Sequence, residues 1–139
     1  MSGYLLDTNV ISELVRPRPS LHVRKFLEAE SDLYLSAITL HELSCGAERA
    51  PDPGRKIKLL AWIKEITAQF GARIIGLDTA IAEHSGRLRA LAEHVGASAD
   101  PLDAMIAATA MQRGLVLATR NVKDFAPFGV QLRNPWVDP

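Results

Sequence analysis

Four short apolar runs, each closed by a polar residue, limit what this chain can fold into more than any other feature. Tyr4-Leu5-Leu6 stops at Asp7, and Leu33-Tyr34-Leu35 stops at Ser36. Arg73-Ile74-Ile75-Gly76-Leu77 stops at Asp78, Leu115-Val116-Leu117-Ala118 stops at Thr119, and Val130-Gln131-Leu132 is a weaker fifth. Continuous apolar runs of this length suit strands buried on both faces, as in a parallel sheet. Between them lie segments of helical pattern at 9–16, 20–30, 40–49, 55–70, 79–95 and 102–113. Ile57, Leu60, Ile63 and Ile66, for example, recur at the spacing of one helix face. The alternation predicts a three-layer α/β/α domain with right-handed crossovers. A length of 139 residues suits one domain spanning 1–139. The one loop-like break, Ala50-Pro51-Asp52-Pro53-Gly54, is too short to separate two.

Composition narrows the function classes. No apolar run approaches the roughly 18 residues of a membrane span. Met1-Ser2-Gly3-Tyr4-Leu5-Leu6-Asp7 lacks the basic region of a signal peptide, so a cytoplasmic protein is expected. The single cysteine, Cys45, excludes an internal disulfide and a thiolate zinc cage, and its neighbours suit a small buried residue on a helix. Sixteen basic and sixteen acidic residues cancel, which speaks against an architectural nucleic-acid binder with an overall basic field. A nuclease is compatible, because an acidic pocket offsets a basic rim.

In open parallel sheets ligands bind beyond the carboxyl ends of the strands, and four acids fall there. Asp7 directly follows the first strand; its structural alternative is an N-cap. Glu42 is expected in the first turn of the helix leaving the second strand, where Thr39-x-x-Glu42 also has capping-box spacing. Asp103 lies in the first turn of a helix capped by Asp100 and opened by Pro101. That helix continues Ala104-Met105-Ile106-Ala107-Ala108, so it is buried, and a carboxylate there is costly unless a cation or donor meets it. Asp124 follows the fourth strand, where a solvated loop acid is the default. Asp78 reads as a plain helix cap. Like charges held close repel unless something positive intervenes, and hard divalent ions with oxygen ligands are the natural remedy. His22, His41, His84 and His94 show no ligand spacing and read as surface or packing residues.

Taken in order, these segments resemble the PIN-domain family, closest to the VapC/FitB type of toxin in bacterial toxin–antitoxin pairs. Leu5-Leu6-Asp7-Thr8-Asn9-Val10-Ile11-Ser12-Glu13 is similar to its opening strand and helix. Leu35-Ser36-Ala37-Ile38-Thr39-Leu40-His41-Glu42-Leu43 is similar to its second acidic motif, and Asp103-Ala104-Met105-Ile106-Ala107-Ala108-Thr109-Ala110 to its third. Ala118-Thr119-Arg120-Asn121 with Asp124-Phe125 matches the fourth, and the tail Arg133-Asn134-Pro135-Trp136 resembles the FitB branch. The resemblance spans the whole chain. It implies a mainly parallel five-stranded sheet of order 3-2-1-4-5, a Mg²⁺- or Mn²⁺-dependent endoribonuclease, a homodimer and a cognate antitoxin. It carries metal binding and catalysis onto Asp7, Glu42, Asp103 and Asp124. Some relatives place an aspartate where this chain has Asn121, and others pair that asparagine with an acid at the position of Asp124. The second pattern matches, which leaves Asn121 a supporting ligand or orienter, beside Thr8, Asn9 and Thr119.

The implied reaction is phosphodiester hydrolysis on single-stranded or looped RNA. Candidates for a phosphate rim are Arg16, Arg18, Arg55, Lys56, Arg120 and Lys123, with Arg120 and Lys123 nearest the acids in sequence. One alternative is a catalytically silent PIN module that binds RNA or protein. Another is a receiver-like or phosphohydrolase α/β domain, but Asn9 stands where the latter wants a second acid and Arg120 where receivers carry a lysine.

Overall fold

A computed structural model describes residues 3–137. Met1, Ser2, Asp138 and Pro139, which the expected 1–139 domain includes, lie outside the described residues. Five strands form one sheet: β1 (Tyr4–Leu6), β2 (Leu33–Ser36), β3 (Ile74–Ile75), β4 (Val116–Ala118) and β5 (Leu132–Arg133). Their order is β3-β2-β1-β4-β5 and every pair is parallel, so the expected topology holds and no antiparallel strand interrupts it. Seven α-helices complete the described residues: α1 (Thr8–Ser12), α2 (Leu21–Ala29), α3 (Ala37–Glu48), α4 (Pro53–Phe70), α5 (Thr79–His94), α6 (Pro101–Gln112) and α7 (Val122–Phe125).

The strands are short, and their alternation assigns each layer. Successive side chains point to opposite faces. Leu5 and Leu117 therefore join one core cluster with Ile81 and Leu88 of α5 and Ile106 of α6. Leu6, Leu35 and Ala118 join the other, with Val10 and Ile11 of α1, Val23 and Phe26 of α2, Leu43 of α3 and Ile66 of α4. The sheet lies between two helical layers. In α6 the buried face consists of Ala104, Ile106, Ala107, Ala108, Thr109 and Ala110, mostly small side chains that let the helix sit low on the sheet. The Thr109 hydroxyl is satisfied by the Met105 carbonyl at 2.7 Å.

Several boundaries differ from the sequence expectation: the helix expected over 9–16 is α1 followed by a 3₁₀ turn over Glu13–Val15, and three further differences have a local cause. α3 starts at Ala37 rather than near residue 40, because Ser36 caps it by accepting from the Ile38 amide at 3.0 Å. Glu42 thus stands in its second turn, and the Thr39–Glu42 capping box does not form. The third strand keeps only Ile74–Ile75, since Gly71–Arg73 forms a 3₁₀ turn and Leu77 is 45% exposed. The fifth strand runs Leu132–Arg133, starting two residues later and ending one later than the apolar run suggests. Cys45 is on α3 as expected but only half-buried. Among the described residues no helix is long and apolar enough to cross a membrane.

Candidate active site

Asp7, the first residue past the central strand, combines two roles that sequence reasoning treats as alternatives. It is the N-cap of α1, its Oδ1 accepting from the Thr8 amide at 2.8 Å. Its backbone amide donates to the Ala118 carbonyl at 2.9 Å, which ties the ends of β1 and β4 together. The side chain is nevertheless turned into a polar cluster and is 5% exposed. Oδ2 accepts from the Thr119 hydroxyl at 2.7 Å and from the Asn9 amide nitrogen at 3.2 Å. A carboxylate offers about four acceptor positions, and these three donors leave roughly one for a further partner.

Each donor is itself held. The Thr119 hydroxyl accepts from the Asn121 amide at 3.0 Å, which commits its proton to Asp7. Asn9 accepts on Oδ1 from the Arg120 amide at 3.3 Å, which orients its NH₂ toward Asp7. Glu42 reaches the cluster from α3, where its Oε1 accepts from the Thr8 hydroxyl at 2.6 Å. That hydroxyl also lies 3.4 Å from the hydroxyl of the fully buried Thr39, one helical turn before Glu42. Asp103 arrives from the first turn of α6, where Asp100 caps the helix by accepting from the Leu102 and Asp103 amides at 2.8 and 3.1 Å, and Pro101 opens it.

Asp7, Thr8, Asn9, Ser12, Glu42, Asp103 and Asn121 line one open cavity of about 270 Å³. Asp124 is not among them. It is exposed in the first turn of α7 and lines an adjoining cavity of about 310 Å³ with Arg120, Asn121, Val122 and Lys123. The two cavities share Asn121. The structure therefore brings three of the four expected acids together, and it sets the fourth beside the two basic candidates.

Electrostatics couple all four. Burial raises the Asp7 carboxyl above its ordinary range; the hydrogen bonds from Thr119 and Thr8 oppose that rise, and the charges of Glu42 and Asp124 add to it. Asp103 is pushed up to about 7, first by burial and then by Asp100, Asp7, Glu42 and Asp124. A site that raises its own carboxyls is short of positive charge.

The donor set lining the cavity is all oxygen, with no histidine or cysteine among it. Among the described residues no three His, Cys, Asp or Glu side chains are arranged to hold an ion by themselves. It is the oxygen donor set of the cavity, not that absence, that suits Mg²⁺ or Mn²⁺, which are typically bound by one or two carboxylates together with waters and substrate phosphates. It does not fit a closed zinc cage. Sequence reasoning passes over Ser12 and reads Thr39 only as a helix cap. Their signal was spacing: each lies three or four helical residues from a residue already singled out, Ser12 after Thr8 and Asn9, and Thr39 before Glu42.

Residues 4–127 match the PIN domain family. The chain is 38% identical to the toxin FitB of Neisseria gonorrhoeae, over 96% of this chain and 99% of that protein. It is 31% identical to the tRNA(fMet)-specific endonuclease VapC of Shigella flexneri, over 98% and 99% of the two chains. Among solved structures, FitAcB from Neisseria gonorrhoeae superposes with a TM-score of 0.90 at 38% identity, covering 96% of this chain and 98% of that one. A toxin–antitoxin complex from Klebsiella pneumoniae superposes with a TM-score of 0.68 at 30% identity, covering 96% and 98%.

Proposed function

Since this chain belongs to the PIN domain family, we propose that it is a Mg²⁺- or Mn²⁺-dependent endoribonuclease acting as the toxin of a toxin–antitoxin pair. The observation that carries the reading is the meeting of Asp7, Glu42 and Asp103 in one cavity at the carboxyl ends of the strands. Relatives named as VapC endonucleases and the FitB toxin, matched over nearly their whole length, support it. The chain works as one PIN domain in the cytoplasm, and it forms a homodimer.

Each residue has a task in that reading. Asp7, Asp103 and Glu42 would hold the ion together with waters and substrate phosphate, and Asp124 would add negative charge from the adjoining cavity. A bound divalent ion supplies positive charge that polarises the phosphoryl oxygen and eases ionisation of the attacking water. Thr119 and Asn9 fix the direction of the Asp7 carboxylate, as outer hydrogen bonds do for metal ligands generally. Thr8 does the same for Glu42, and Asn121 holds Thr119. Arg120 and Lys123 receive the phosphates that the acids would repel.

A larger groove of about 700 Å³ shares Thr8, Ser12 and Glu42 with the acid cavity and continues past Arg16, Leu59 and Trp62. An antitoxin seated there could place a basic or aromatic side chain against the acids and compete with the ion.

Incubation of the purified chain with bulk tRNA and Mn²⁺ tests the enzymatic reading. Cleavage should appear with Mn²⁺, stop with EDTA, and fall in Asp7→Asn by at least the roughly 10–100-fold that loss of an outer partner of a metal ligand costs. Binding of tRNA without any metal-dependent cleavage would favour the silent module. Co-expression of the neighbouring small gene product should relieve any growth arrest; continued arrest would remove the toxin role.

A further inference from the structure

Two guanidinium groups stand where β4 and β5 end, and each lies over an aromatic ring. Cζ of Arg120 is 5.1 Å from the centroid of Trp136, and Cζ of Arg133 is 5.0 Å from that of Phe26. Strand pairing sets them side by side: Ala118 is in register with Arg133, and the Thr119 amide donates to the Arg133 carbonyl at 2.9 Å. Both rings are anchored. Phe26 is 5% exposed, Trp136 packs against the core cluster of Leu6 and Val10, and the Trp136 amide donates to Asn134 Oδ1 at 2.9 Å.

Among the described residues neither guanidinium has a carboxylate within ion-pair distance. Arg133 makes one long contact to the Tyr4 hydroxyl, at 3.5 Å. Arg73 shows the contrast. It also stacks, over Tyr34, but its Nη1 donates to the Ser31 and Leu33 carbonyls and faces Asp32 at 3.7 Å, so part of its fork and its charge are engaged within the fold. Holding a long side chain in place costs conformational freedom. A guanidinium fixed flat, with its N–H fork still open, is pre-organised for an anion, and phosphate fits that fork.

Their position says which anion. The Arg120 backbone is tied through Asn9 to Asp7, and Arg120 lines the cavity that adjoins the acids. Arg133 lines a further cavity of about 450 Å³ together with Lys25 and Glu30. A polyanion repelled by the acids therefore meets cations along this side of the sheet edge.

We propose that the RNA strand flanking the scissile phosphate runs across the ends of β4 and β5, its backbone held by Arg120 and Arg133, with Trp136 and Phe26 as positioning residues that present the two guanidinium planes. This rests on the nuclease reading above.

The test uses Asp7→Asn protein in Mg²⁺ buffer, to suppress cleavage, with labelled single-stranded oligo(A) followed by anisotropy over a salt series. Arg133→Gln should weaken binding roughly three- to tenfold and flatten the log–log salt slope by about 0.7, the share of one phosphate contact on a single strand. In the chain with Asp7 intact, the same change should raise KM for tRNA cleavage while kcat stays within about twofold, as for a contact made equally in ground and transition states. Trp136→Leu should match the loss of Arg120→Gln, and Trp136→Phe, which keeps a ring face, should recover most of it. The double variant Trp136→Leu with Arg120→Gln should bind no worse than Arg120→Gln alone, because one acts through the other. If Trp136→Leu fails to fold, Arg120→Lys replaces it: charge is kept, the planar stack is lost, and binding should still weaken.

Parental binding by Arg133→Gln and by Trp136→Leu or Arg120→Lys overturns the proposal. So does an Arg133→Gln variant that binds RNA normally but no longer co-purifies with the co-expressed antitoxin, since the face then belongs to a protein. A parent chain that neither binds nor cuts RNA overturns both readings, whereas normal cleavage with unaffected variants overturns only this one.

Discussion

At Asp103, burial and the neighbouring acids act in the same direction, lifting the carboxyl from an ordinary 3.8 to about 7. The sign follows from proton counting. Between those two values the folded, metal-free chain holds a proton that the unfolded chain has released, so stability is greatest at the acid end and declines as pH rises toward 7. Asp7 is shifted the same way. The melting temperature of EDTA-treated protein should therefore fall between about pH 5 and 7.5, and Asp103→Asn, neutral throughout, should flatten that fall in a calorimetric series. Ion binding needs the ionised form, so Mn²⁺ affinity measured by titration calorimetry should rise over the same window. An Asp103→Asn melting curve as steep in pH as the parent's would refute this account. At this scale the sequence indicated the right side chains and little of their wiring. Asp7, Glu42 and Asp103 could be singled out because each lies near a strand end in an apolar setting. That Asn9 and Thr119 converge on one oxygen of Asp7 depends on a contact between residues 112 positions apart, which no local pattern encodes.

Among elements, the longer helices and the three inner strands β1, β2 and β4 were legible because apolar patterning and caps agree there. Asp100 with Pro101, and Asp78, whose Oδ1 accepts from the Ile81 amide at 2.9 Å, do as sequence reasoning expects. The start of α3 was misread because Thr39 looks like a cap; in the fold it is fully buried and Ser36 does the capping. The outer strands were overdrawn because an apolar run does not reveal where its neighbour stops pairing. Asp124 stands in a short helix after β4 that periodicity does not reveal, and it lines a cavity with Lys123. One element carries a stability prediction. Gly3 is buried just before β1, and a Cβ there would overlap the carbonyl and carboxyl of Asp32, while the Gly3 carbonyl accepts from the Val116 amide at 3.1 Å. Gly3→Ala should shift the start of β1 and cost about 1–3 kcal/mol in denaturant unfolding, the range for overpacking. An unchanged midpoint would show that the Asp32 turn yields freely.

For the whole molecule, assembly and charge matter more than any single contact. The net charge of zero leaves attraction of RNA to local cations rather than to an overall field, so mild salt should weaken RNA binding while leaving the fold intact. If the chain pairs with itself as proposed, its melting temperature should rise with protein concentration, because mass action favours the folded dimer. A melting point independent of concentration over about two decades would argue for a monomer.

The central position of β1 has a further consequence, for the ribosome that makes the chain. The first strand has no partner on one side until Val116–Ala118 has been synthesised, and Asp7 lacks its Thr119 donor until then. Parallel pairings this remote in sequence form late. In the nuclease reading a nascent chain should be inert until residue 119 has been made, and fragments that stop before residue 116 should be inert toward RNA and harmless when expressed. A host that makes such a protein is given, by topology alone, the time needed to reach residue 119 in which an inhibitor can arrive first.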